Sequence, residues 1–329
     1  MAHDPGEPDW APDINDAKWV VVEKLQSYGD RPIETLTAPE ARKNHTPADA
    51  VKDVVQEHHI PMPVSQVDTV GKEIPVTGGG IHARIYTPKN AGSPMPVIVY
   101  YHGGGWVIAD INTYDASARG LAEKTGAIVV SVHYRQGPEH KFPTAHHDVF
   151  AAYQWVLQHA ASWRGDPKKV ALAGESAGGN LACNVSIMAR DKGIQSPLCQ
   201  VLVYPVANND MNSVSYQKYA NAKPLSKSIV AWMVKNYLPD ISMSGDPRIA
   251  LVKADLKGLP PTTIIGAEID PLMTEGEMLR DKLKEAGVAT DYKLYNGVTH
   301  EFFGMAAVVP EAKDAQNYAS GVLKKAFRK

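Results

Sequence analysis

The chain has 329 residues, with 34 lysines and arginines against 36 aspartates and glutamates and a net charge of −2. That balance gives no electrostatic reason to expect nucleic acid or an anionic membrane surface as a partner, and no segment approaches the ~20 apolar residues of a membrane span. The length admits two domains or one large α/β sheet with insertions.

The first residues, Met1 to Gly6, show no basic stretch followed by an apolar run, so no secretory leader is expected. The two cysteines, Cys183 and Cys199, fall in no CxxC or metal-ligand spacing and suit a reducing, cytoplasmic setting. Cys183 lies within an apolar helical pattern, as a small core residue would.

Two helices are expected first. Residues 15–28 place Trp19, Val22 and Leu25 on one side before Gly29, and Thr46-Pro47 supplies an N-cap and first-turn proline for a second run through Val51, Val54 and Val55. From Val67 the texture becomes strand, turn at Gly78-Gly79-Gly80, strand at Ile81–Tyr86. Strand-like and helical runs then alternate: Val97–Tyr101, a helix around Ala116–Lys124, Ala127–Val132, a helical face of Val149, Tyr153, Val156 and Ala160, then Val170–Ala173. Leu181, Val185 and Met188 recur at helical spacing ahead of Gly193, a candidate C′ residue.

Val201–Tyr204 and Thr262–Gly266 follow. Thr274-x-x-Glu277 reads as a capping box for a helix to Gly287, Tyr292–Tyr295 as the last strand and residues 311–327 as the last helix. Continuous apolar strands alternating with helices predict an α/β fold, a mostly parallel sheet covered on both faces. More than fifty residues separate Tyr204 from Thr262, with a helical run at Ile229–Tyr237. Loops are usually far shorter, so this insertion and the N-terminal helices are expected to form a cap. The expected organisation is 1–65 cap helices, 66–206 first catalytic part, 207–246 cap insertion and 247–329 second catalytic part.

A serine hydroxyl is a weak nucleophile until a base takes its proton. Gly174-x-Ser176-x-Gly178 places Ser176 on a tight turn between an apolar strand and a helix, with the hydroxyl exposed and the helix N-terminus favouring an oxyanion. Without that context G-x-S-x-G is a modest signal. His102-Gly103-Gly104-Gly105 follows another apolar strand, where bare N–H groups can face the serine. Gly104, Gly105 and Ala177 are the expected oxyanion donors, with His102 and Gly103 supporting the loop. A phosphate-binding loop is the rival reading, but no Gly-Lys-Ser/Thr follows.

Of twelve histidines only His300 lies after Ser176, in the turn-rich stretch Asn296–His300. On this architecture the order serine, acid, histidine selects His300 as base, with His102 a lesser candidate. The acid is expected at the strand end Ile269-Asp270-Pro271, with Glu268 as its competitor. The pairs His146-His147 and His58-His59 diverge on a helix and suit no metal. Trp19, Trp232 and Tyr237 are better read as packing than as an acyl pocket.

Taken together these residues resemble the bacterial hormone-sensitive-lipase-like (family IV) carboxylesterases, a branch of the α/β-hydrolases, over roughly residues 66–305. His102–Trp106 is similar to the family's oxyanion loop, Gly174–Gly179 to its nucleophile elbow, and Asp270-Pro271-Leu272 and His300 to its acid and base. Tyr134-Arg135-x-x-Pro138-Glu139 through Pro143 and Asp148 is similar to its structural signature. Glu175 stands where many members have Asp, and Gln136-Gly137 replaces Leu-Ala. The resemblance implies an α/β-hydrolase fold with a helical cap, short-chain ester substrates, no metal or cofactor and a possible homodimer.

The expected activity is a serine carboxylesterase acting on a small-molecule ester, with no nucleic acid or membrane partner. An amidase, deacetylase or lipase on the same scaffold is the nearer rival. A non-catalytic ligand-binding receptor is the remoter one, because His300 is present.

Overall fold

A computed structural model describes residues 8–328; the Met1–Gly6 stretch on which the leader expectation bears lies outside them. The chain begins with three helices, α1 (Asp16–Ser27), α2 (Ala38–Ala41) and α3 (Pro47–Glu57). Asn15 caps α1 by accepting the Lys18 N–H, and Thr46 caps α3 in a capping box with Asp49, with Pro47 in the first turn as expected. The hairpin β1 (Val67–Val76) and β2 (Gly79–Pro88) follows, its turn tightened so that Gly79 and Gly80 already belong to β2.

The alternating section runs β3 (Met95–Tyr101), α4 (Asp115–Thr125), β4 (Ile128–His133), α5 (Thr144–His159), β5 (Gly165–Glu175), α6 (Ala177–Asp191) and β6 (Gln200–Val203). The long insertion holds α7 (Val214–Lys218) and α8 (Lys227–Tyr237). The chain closes with β7 (Thr262–Ile269), α9 (Met273–Glu285), β8 (Thr290–Thr299) and α10 (Pro310–Phe327). The eight strands are ordered β1-β2-β4-β3-β5-β6-β7-β8. Pairing is antiparallel at β1/β2 and β2/β4 and parallel from β4 to β8.

The strands read as continuous apolar runs because each feeds two cores. In β3, Val97, Val99 and Tyr101 face one core while Ile98 and Tyr100 face the other; β5 repeats this with Val170 and Leu172 against Ala171 and Ala173. Helices α5, α6 and α9 close the first core with Val149, Leu181 and Leu279, and α4 and α10 close the second with Leu121 and Leu323. Each such fully buried side chain is worth ~1.5–3 kcal/mol, so this two-sided burial is what holds the sheet rigid under the loops at its carboxyl edge.

One terminus departs from expectation. Helix α9 begins at Met273 with Leu272 as its N-cap, so Thr274 lies inside the first turn and forms no capping box with Glu277. The Thr274 N–H is satisfied from another element, by Ser215 Oγ at 3.1 Å, while Thr274 Oγ1 accepts the Ser215 N–H at 3.3 Å. Two helix starts, α7 and α9, thus cap each other.

The insertion and the N-terminal segment meet. The Trp232 indole on α8 donates to Leu36 O at 3.0 Å, and Ser228 donates to Glu34. Among the described residues no helix is long and apolar enough to cross a membrane.

Candidate active site

The carboxyl ends of β3, β5, β7 and β8 lead directly into the four segments singled out in the sequence. In a parallel sheet this edge is where ligands bind. Ser176 follows β5 as the N-cap of α6, with φ 55° and ψ −119°. For a non-glycine residue this is a costly conformation, held because its backbone is pinned. Its N–H donates to Val203 O at 2.9 Å, and its own carbonyl accepts from Asn180 and Val206. Gly178 makes the turn possible, since a Cβ there would collide with the Tyr101 carbonyl.

The structure brings the three sequence-selected side chains into one line. His300 Nε2 lies 2.9 Å from Ser176 Oγ, and His300 Nδ1 lies 2.6 Å from Asp270 Oδ2. The other Asp270 oxygen accepts the Leu272 N–H at 2.9 Å, which orients the carboxylate. Asp270 and His300 are almost completely buried. Burial opposes the charged imidazole, but the Asp270 carboxylate, aided by Glu301 and Glu175, outweighs it, so the His300 pKa is raised above 6.5. Glu268, the competing acid, is engaged elsewhere and accepts the Gly297 N–H at 2.8 Å.

His102 is wholly buried. Its Nδ1 is 2.8 Å from Gly103 O and its Nε2 3.1 Å from His133 Nδ1, so both nitrogens serve the loop and neither meets Ser176. Desolvation, then the neighbouring His133, pushes its pKa down to about 3, which keeps it neutral. Tyr134 stacks on its ring and donates to the carbonyls of His102 and Gly103. Gly104 and Gly105 follow with φ 95° and 59°, and Ala177 opens α6 beside Ser176.

Gly104, Gly105, Ser176 and His300 line one cavity of about 760 Å³. Its walls include Val22 and Leu25 of α1 and Ile229, Val230 and Met233 of α8. Such a volume suits a small organic ligand. Trp19, Trp232 and Tyr237 are not on this wall; Tyr237 stacks on Trp106 instead, and Trp232 packs between α8 and the N-terminal segment. His146 is buried between Tyr237 and Asn180. Among the described residues no group of three or more His, Cys, Asp or Glu is placed to hold a metal ion.

Glu301 and Lys18 carried no signal of their own in the sequence, and Glu175 stood out only as a departure from the family resemblance. Glu301 follows His300 with φ 67°, accepts the Tyr114 hydroxyl at 2.6 Å and places Oε1 3.7 Å from His300 Nε2. Lys18 of α1 is buried with Nζ 3.1 Å from Met305 Sδ; desolvation lowers its pKa to about 7 against the pull of Glu301. Glu175, ahead of the serine, receives the hydroxyls of Tyr100 and Tyr204. The Tyr204 ring lies 4.4 Å from that of His300. Desolvation, then Glu301, raises the Glu175 pKa to about 7. The contact that matters for each comes from a distant segment or from backbone geometry.

The chain belongs to the α/β-hydrolase family, in its hormone-sensitive-lipase-like branch: a family model described as alpha/beta hydrolase fold matches residues 98–304. It is similar to the carboxylesterase NlhH of Mycobacterium tuberculosis, at 37% identity over 75% of this chain and 79% of that one. An ethyl acetate hydrolase of Pseudomonas putida is 28% identical over 86% and 88% of the two chains. Among solved structures, a thermostable esterase from Pseudomonas putida superimposes with a TM-score of 0.87 at 31% identity, covering 96% of this chain and 98% of the other.

Proposed function

We propose that this chain is a serine carboxylesterase that hydrolyses short-chain acyl esters through an acyl-enzyme. The observation that supports this most is the unbroken path of hydrogen bonds from Asp270 through His300 to Ser176, opening on a cavity that Gly104 and Gly105 also line. The similarity to an ethyl acetate hydrolase supports small acyl groups.

In this reading Ser176 Oγ attacks the ester carbonyl as His300 Nε2 takes its proton, and the Asp270 carboxylate stabilises the imidazolium. The negative charge on the carbonyl oxygen is met by the N–H groups of Gly104, Gly105 and Ala177, each such donor being worth ~3–4 kcal/mol. His300 returns the proton to the departing alcohol. Water then repeats the sequence on the acyl-enzyme and frees the acid. Residues 1–65 and 207–246 act as the cap over this chemistry, which fits the positions of α1 and α8 on the cavity wall.

Labelling with a fluorophosphonate probe followed by peptide mass spectrometry tests the nucleophile; an adduct elsewhere than Ser176 rejects it. A p-nitrophenyl ester series tests the substrate class. Acetate and butyrate should be turned over best, and a preference for long aggregated chains would make the protein a lipase instead.

A further inference from the structure

The loop that follows Gly103 is made of backbone that needs holding. Gly104, Gly105, Trp106 and Ala109 all have positive φ, at 95°, 59°, 61° and 65°, and two of these are not glycine. Such conformations persist only where the surroundings over-determine them. The loop folds on itself, because Gly104 O accepts the N–H groups of Val107 and Ile108 at 3.0 and 2.9 Å. The Ile108 carbonyl is thereby packed so closely on Gly104 that a Cβ there would overlap it. Wherever the Ile108 carbonyl sits, the Gly104 amide follows.

Two side chains hold three successive carbonyls of this loop. Arg42 Nε donates to Val107 O at 2.8 Å; Gln136 Nε2 donates to Ile108 O at 2.7 Å and to Ala109 O at 3.0 Å. Arg42 is itself fixed, donating through Nη2 to Gly137 O at 2.6 Å and forking onto Glu139 with two 2.8 Å bonds. The Gly137 N–H in turn donates to Trp106 O at 2.9 Å. An apolar side chain at position 136 would have no donor to offer these carbonyls.

We propose that Arg42 and Gln136 are positioning residues for the oxyanion loop, fixing the Gly104 and Gly105 amides opposite Ser176. Arg42 lies just after α2, in the N-terminal segment. It therefore couples formation of the oxyanion site to the docking of that segment. The inference rests on the esterase reading above. Both side chains also line the cavity, but the oxyanion exists only in the transition state, so loss of either weakens transition-state binding far more than ground-state binding.

The test uses the full-length protein with Gln136→Met, which keeps the length of the side chain but removes its donors, and Arg42→Lys, which keeps the charge but loses the fork. Active sites are titrated with fluorophosphonate, so that a partly misfolded preparation lowers the titre and not kcat per site. The second variant covers the case in which the first does not fold. With p-nitrophenyl butyrate, kcat should fall about tenfold or more while KM stays within about twofold. Affinity for a trifluoromethyl ketone, which forms an oxyanion on Ser176, should fall by the same factor, and affinity for the matching methyl ketone should not. If both variants match the wild type in kcat and in trifluoromethyl ketone affinity, or raise only KM, the brace is overturned while the esterase reading stands. A wild-type chain that hydrolyses no ester overturns both.

Discussion

Glu301 places a carboxylate oxygen 3.7 Å from Nε2 of His300, the nitrogen that faces Ser176. His300 thus has an acid on each side, Asp270 at Nδ1 and Glu301 near Nε2, with Glu175 behind the Tyr204 ring. In the proposed mechanism the imidazole must be neutral to accept the serine proton, so activity should rise as pH passes upward through its pKa. With the protonated form favoured by these carboxylates, the acidic limb of kcat/KM should lie above pH 6.5. Glu301→Gln removes one of the favouring charges, and the limb should move to lower pH. A pH profile of p-nitrophenyl acetate hydrolysis measures this, and a limb that stays in place removes Glu301 from the account.

Ser176→Ala should lower kcat by about 10⁶, the scale of loss when a triad nucleophile is removed. Asp270→Asn should cost about 10⁴, because an amide no longer fixes the imidazole tautomer. Glu268→Gln is the informative partner, since Glu268 binds the Gly297 N–H and does not touch His300. It should keep kcat within about tenfold of the wild type. Single-turnover kinetics on all three would reverse the assignment of the acid if Glu268→Gln proved the more damaging.

How far the residues announce this arrangement depends on the range of the interaction. The β3, β5 and β7 strands are legible as apolar runs because burial on both faces leaves no polar alternation. Ser176 and His300 are legible because the elbow is a local motif and the order along the chain leaves one histidine. Asp270 was legible from the proline that ends its strand. Gln136 and Arg42 were not, because they act on carbonyls 28 and 65 residues away through contacts without local periodicity. Thr274 misled for the same reason, its N–H being capped by Ser215 across 59 residues.

Glu175 and Glu275 are buried carboxyls whose pKa desolvation raises from 4.5 to about 7. A carboxyl that holds its proton more tightly when folded stabilises the native state below its unfolded pKa. That contribution is lost as pH rises from about 4.5 through about 7. Glu175→Gln cannot ionise, so its melting temperature relative to wild type should climb between pH 5 and pH 8. The size of the change is of order 2 kcal/mol, following the 1.36 kcal/mol equivalent of each pKa unit. Calorimetry at the two pH values decides it, and a difference independent of pH would mean that Glu175 is already ionised in the fold.

The reciprocal cap between α7 and α9 predicts an asymmetric pair of costs. Ser215 Oγ makes two bonds, accepting from the Thr274 N–H at 3.1 Å and donating to Pro271 O at 2.6 Å, and the residue is fully buried. Thr274 Oγ1 accepts only the longer 3.3 Å bond from the Ser215 N–H. Ser215→Ala should therefore cost ~1–2 kcal/mol of stability, the range for loss of a helix N-cap, and Thr274→Ala less than ~1 kcal/mol. Because Ser215 also grips the carbonyl of the residue after Asp270, its loss should loosen the acid loop and lower kcat as well as the urea midpoint. Equal costs for the two variants, or a larger one for Thr274→Ala, would overturn this asymmetry.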